Sequence, residues 1–134
     1  MRGFIGAVLF SLLTEVSQPI TPQEIVRLAN RDRTRPLVLD KKLTEAAERK
    51  LDDMLERKYF AHSHGSSTPW RFIREAGYDY KAAAENLGRG YRTAQEAHTA
   101  WMKSKGHRRN ILGDFNDVGV AARSGLIVVM FGKR

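Results

Sequence analysis

Three segments gather side chains suited to chemistry: Tyr59-Phe60-Ala61-His62-Ser63-His64, Ala84-Glu85-Asn86-Leu87, and Ser104-Lys105-Gly106-His107-Arg108-Arg109-Asn110-Ile111-Leu112. They hold three of the four histidines, and imidazole is the side chain that both moves protons near neutrality and binds divalent metal. The chain has no cysteine, which excludes thiol nucleophiles, Cys-based zinc fingers and iron–sulfur clusters. Taken singly, each residue has a plainer account. His62 follows an aromatic pair, as a hydrogen-bonded structural histidine does, and Glu85 suits a buried carboxylate receiving backbone hydrogen bonds. His64 lies on the same side as His62 only if the chain stays extended, and Gly65-Ser66-Ser67 argues against that. His98, flanked by Ala97 and Thr99, is expected to face solvent.

All three segments are expected at helix ends or in loops, where polar groups converge without breaking an apolar face. The helix starts around them are legible. Thr21-Pro22-Gln23-Glu24 is a capping box with Pro at the first helical position, predicting a helix to about Arg33. Asp40 caps a second helix with an apolar stripe of Leu43, Ala46, Ala47, Leu51, Met54 and Leu55. Thr68-Pro69 opens a short helix that Gly77 closes in the left-handed conformation. Thr93-Ala94-Gln95-Glu96 is a second capping box, which accounts for Glu96, and Ser104 is placed to cap the short helix bearing His107. Asp117–Arg123 and Leu126–Phe131, split by Ser124-Gly125, read as a hairpin, with a third strand expected near Leu87–Tyr91. Helices first and a small antiparallel sheet last give an α+β fold.

At 134 residues with a net charge of +8, the chain suits one domain and polyanionic surroundings. A domain of this size buries roughly two thirds of its unfolded surface and needs no disulfide. Gly3 to Leu13 is apolar and follows Met1-Arg2. It is too short for a bilayer core of about 30 Å but has the form of an export-signal core; the alternative is a first helix packed on the domain. Residues 1–20 are therefore expected to be an export or membrane-associated segment and residues 21–134 a single domain, secreted or at the cell surface.

The fragments Ala29-Asn30-Arg31-Asp32-Arg33, Tyr59-Phe60-Ala61-His62, Thr68-Pro69-Trp70, Ala76-Gly77-Tyr78, Glu85-Asn86-Leu87, Trp101-Met102, Gly106-His107-Arg108-Arg109-Asn110-Ile111-Leu112 and Val118-Gly119-Val120, taken in order, resemble the bacterial form of the CAP superfamily. This is the SCP domain of cysteine-rich secretory, antigen 5 and pathogenesis-related proteins. The resemblance implies an α-β-α sandwich around a three-stranded antiparallel sheet, with a cleft lined by two histidines and two acidic residues. Carried over, the cleft residues are His62, Glu85 and His107, with His64, Asn86 and Ser104 beside them. Ser104 stands where animal and plant members have the second glutamate. Two imidazoles and a carboxylate can hold zinc or another divalent cation with an open water position, or can hold one another. The expected function is a non-catalytic, monomeric binding module for a small apolar or peptide-like ligand; the resemblance also implies lipid or sterol binding. The alternative is a metal-dependent, peptidase-like hydrolase. Lys103, Lys105, Arg108 and Arg109 suggest contact with an anionic envelope or lipid surface, and nucleic acid is disfavoured.

Overall fold

A hydroxyl or carboxylate cap opens each of the first three helices in the computed structural model, which describes residues 19–134. Thr21 accepts from the Glu24 N–H at the start of α1 (Pro22–Arg31). Asp40 does the same for Leu43 in α2 (Lys41–Arg57), and Thr68 for Arg71 in α3 (Pro69–Glu75). Thr93 caps α4 (Ala94–Lys103), which leads through Ser104 into α5 (Lys105–Leu112). The strands are β1 (Val38–Leu39), β2 (Ala82–Arg89), β3 (Asp117–Arg123) and β4 (Leu126–Lys133). The expected export segment lies outside the described residues, apart from Pro19 and Ile20. No helix among the described residues is long and apolar enough to cross a membrane.

The sheet runs β1-β3-β4-β2. β3 and β4 form the expected hairpin, with Ser124 (φ 54°) and Gly125 (φ 78°) both left-handed, as a tight hairpin turn requires. β2 pairs antiparallel with β4 from Ala82↔Lys133 to Arg89↔Leu126. Two corrections follow. The sheet is four-stranded and mixed, because β1 adds in parallel along β3 at Val38↔Asp117 and Leu39↔Val118. The Asn30 amide fixes that segment, donating to the Leu37 carbonyl at 3.0 Å and accepting from its N–H at 2.7 Å; two residues are too few to show a strand period. Second, β2 begins at Ala82 rather than near Leu87, so Glu85-Asn86 lies mid-strand and not in a loop. Buried on both faces from Ala84 to Gly88, its Ala-rich sequence neither alternates nor carries β-branched residues.

β4 divides the core. Ile127, Val129 and Phe131 pack with Leu28, Trp101 and Ile111 of α1, α4 and α5, whereas Leu126, Val128 and Met130 pack with Leu43, Leu51 and Ile73 of α2 and α3. This period-two division places a helical layer on each face, the expected α-β-α sandwich. α2 lies so close to β3 that a Cβ on Gly119 would fall 2.0 Å from the Leu43 backbone. α1 stops at Arg31, short of the expected Arg33, and the Arg33 guanidinium binds the Ile111, Gly113 and Phe115 carbonyls at 2.7, 2.8 and 2.7 Å.

Candidate functional site

The centre of the site is a buried charge pair. Glu85, facing α2 from the middle of β2, has a side chain 1% exposed, and its Oε2 lies 3.5 Å from the Nζ of Lys50, whose side chain is 0% exposed. Lys50 also donates to the His62 carbonyl and sits over the Tyr59 and Phe72 rings, 5.7 and 5.9 Å from their centroids. Burial holds its ammonium below the ordinary lysine range, while Glu85 pulls it back up. α2 ends on Lys58 in the left-handed conformation (φ 55°), turning the chain so that Tyr59–His64 returns toward β2.

His62 comes with that return. Its Nδ1 lies 2.7 Å from Glu85 Oε1, and its ring is 59% exposed. Against a carboxylate the hydrogen belongs on Nδ1, which leaves the Nε2 lone pair free toward solvent. His107 approaches from the other helical layer, in the first turn of α5. An asparagine pair fixes α5 on the outer edge of β2: Asn86 Nδ2 donates to the His107 carbonyl at 3.1 Å, and Asn110 Nδ2 donates to Asn86 Oδ1 at 2.8 Å and to the Glu85 carbonyl at 3.2 Å. The His107 ring is held below the ordinary histidine value, first by burial and then by the nearby His62.

The other expected site residues fall elsewhere. His64 stacks on Tyr59 at 4.3 Å, with its backbone paired to Ser67 around left-handed Gly65. Ser104 occupies the N-cap position of α5, but its hydroxyl makes no cap bond, contrary to expectation. Glu96 is used in its capping box, accepting from the Arg92 N–H at 2.9 Å. His98 corrects the expectation of a solvent-facing ring: it is 3% exposed, and its Nε2 lies 2.6 Å from Asp32 Oδ2. Sequence reasoning missed Lys50. The signal was available, since Lys50 falls on the stripe of Ala46, Ala47, Leu51 and Met54.

No three His, Asp or Glu side chains among the described residues converge as a metal-ligand set. Glu85 is committed to His62 and Lys50, and its Oε2, which accepts no hydrogen bond, has the ammonium as its neighbour. The donors left over are the His62 and His107 rings, with Glu85 bonded behind His62.

A mixed sheet with a helical layer on each face is the fold shared with SCP domains. The model of the cysteine-rich secretory protein (CAP) family matches residues 27–125, and the chain belongs to that family. It is 36% identical over 104 residues to the uncharacterized protein YkwD of Bacillus subtilis, covering 73% of this chain and 40% of YkwD. The chain thus spans well under half the length of the curated relatives it matches. Among solved structures it is similar to an extracellular SCP-domain protein of Bacillus anthracis, with a TM-score of 0.77 and 25% identity over 88% of this chain and 45% of that one. An outer surface protein of Borrelia burgdorferi shares the fold, with a TM-score of 0.73 and 23% identity over 84% of this chain and 88% of that one.

Proposed function

We propose that this chain is a secreted or surface-associated binding module whose cleft offers the outward Nε2 of His62 and the ring of His107 to a small apolar or peptide-like ligand. Were zinc or another divalent cation bound here, the His62 and His107 rings would be the residues to hold it, and it would polarise a ligand carbonyl or carboxylate oxygen. The observation that carries this reading is the engagement of Glu85. A hydrolase that uses a carboxylate base needs that carboxylate free to take the proton of attacking water. Here the cleft carboxylate is buried, bonded to one imidazole and paired with an ammonium, and Ser104 stands where the family resemblance places a second carboxylate. What remains is suited to holding a ligand.

Location rests on the apolar Gly3–Leu13 run and on likeness to an extracellular and an outer surface protein. The exposed Lys103, Lys105, Arg108 and Arg109 give an anionic envelope or lipid surface a place to meet a monomeric domain. The test is zinc calorimetry at about pH 7.5 on wild type, His62→Ala and His107→Ala, alongside peptide and ester turnover. Zinc uptake that both substitutions abolish, without turnover, is the expected result. Saturable turnover lost in Glu85→Gln would replace this reading with the metal-dependent hydrolase.

A further inference from the structure

β2 is an outer strand, hydrogen-bonded to β4 on one side only. Its free edge is marked by Glu85 and Leu87, whose carbonyls accept from Asn110 Nδ2 and Trp101 Nε1 instead of from β4. Backbone groups two residues apart on a strand point the same way, so the N–H and C=O of Ala83 face this edge too. α5 and α4 cover the edge from Glu85 onward; no side chain among the described residues bonds the Ala83 backbone. There the edge opens onto a groove of about 510 Å³ lined by Ala82, Ala84 and Phe115, with Lys81 and Arg109 also at the groove. Neither of these cations has an ion-pair partner among the described residues. Asp114, the acidic residue of the lining, is taken by Lys133 at 2.5 Å and Arg35 at 2.6 Å.

We propose that this groove docks an extended acidic peptide, which adds a short strand to β2 at Ala83 and sets its carboxylates on Lys81 and Arg109. Strand addition draws affinity from main-chain hydrogen bonds, and the small Ala82 and Ala84 side chains leave room for the added strand. Charge selects the occupant. A second copy of this chain carries the same net charge of +8, and a lysine beside an open edge discourages like-charged pairing. An acidic segment meets two cations with no competing partner. The groove shares α5 with the cleft, but neither His62 nor His107 lines it.

The probe is the capped pentapeptide acetyl-Glu-Val-Ser-Val-Glu-amide, titrated at millimolar concentration into the ¹⁵N-labelled full chain. Its controls are the same peptide with lysine for glutamate and a version N-methylated at alternate amides. The acidic peptide is expected to shift the amides of Ala82–Ala84. Both controls, and the exposed-site variant Lys81→Glu/Arg109→Glu, should weaken binding by about tenfold or more. Equal binding of the lysine or N-methylated peptide would overturn the proposal, as would binding of phosphatidylglycerol vesicles without any peptide response. Shifts confined to His62 and His107 would also overturn this docking site, while favouring a peptide in the cleft; loss of zinc uptake in the histidine variants leaves it untouched.

Discussion

Replacing Lys50 with methionine keeps most of a long side chain in the stripe of α2 and removes its charge. In the wild type the ammonium and the Glu85 carboxylate are 3.5 Å apart, with side chains 0% and 1% exposed, so water cannot screen the carboxylate once its cation is gone. Deleting one member of a buried pair typically costs about 3–5 kcal/mol, because the remaining charge stays buried without compensation. A domain of this kind is stable by about 5–15 kcal/mol in all. With a urea slope of about 2 kcal/mol per molar, the unfolding midpoint should fall by about 2 M. Glu85→Gln alone strands the ammonium and should also be costly. The double variant removes both charges, so its loss should fall short of the sum of the single losses by about 2 kcal/mol or more. Urea unfolding followed by tryptophan fluorescence and far-ultraviolet circular dichroism measures all three. A Lys50→Met loss below about 1 kcal/mol, or strict additivity in the cycle, would refute the claim that this ion pair organises the site.

Glu96→Ala should cost about 1 kcal/mol through its lost cap and leave zinc uptake intact; loss of uptake comparable to that in Glu85→Ala, at preserved fold, would put the wrong carboxylate in the cleft. Arg33→Met removes three charge-assisted bonds to the Ile111, Gly113 and Phe115 carbonyls and should cost about 3 kcal/mol in chemical denaturation. Arg33→Lys should recover little, since a single ammonium cannot span three acceptors. Because the folded His107 sits below its unfolded value of about 6.5, its share of stability is full above that pH and is lost as pH falls through the folded value. Thermal unfolding between about pH 7.5 and 5 should show this loss, and His107→Gln should remove part of the slope.

The helix starts were legible because a cap is a local device: Thr21, Asp40, Thr68 and Thr93 each bond an N–H three residues on. The hairpin was legible for a similar reason, its turn pair and β-branched runs being contiguous. β1 and the start of β2 were hidden, because what makes them strands lies far away in sequence. β1 exists through Asn30 and the β3 backbone, and Ala82–Ala84 is a strand because β4 pairs with it. Neither segment has the side-chain pattern that announces a strand.

The site divides along the same line, and its two errors share one cause. His62, Glu85 and His107 stood out through their motifs, whereas Lys50 was passed over and His98 assigned to solvent because lysine and histidine are polar. Their positions argued otherwise. Lys50 sits among Ala46, Ala47, Leu51 and Met54, and His98 among Ala94, Ala97 and Trp101, each at the three- and four-residue spacing of a buried face. Apolar spacing reports which way a helix turns, and a polar residue on the stripe is carried inward whatever its type. The folded chain then supplies an acid to meet it: Glu85 for Lys50 and Asp32 for His98. A titratable residue on an apolar stripe therefore implies an acidic partner, exposed as Asp32 is or buried, and at Lys50 that partner is the buried carboxylate that orients His62.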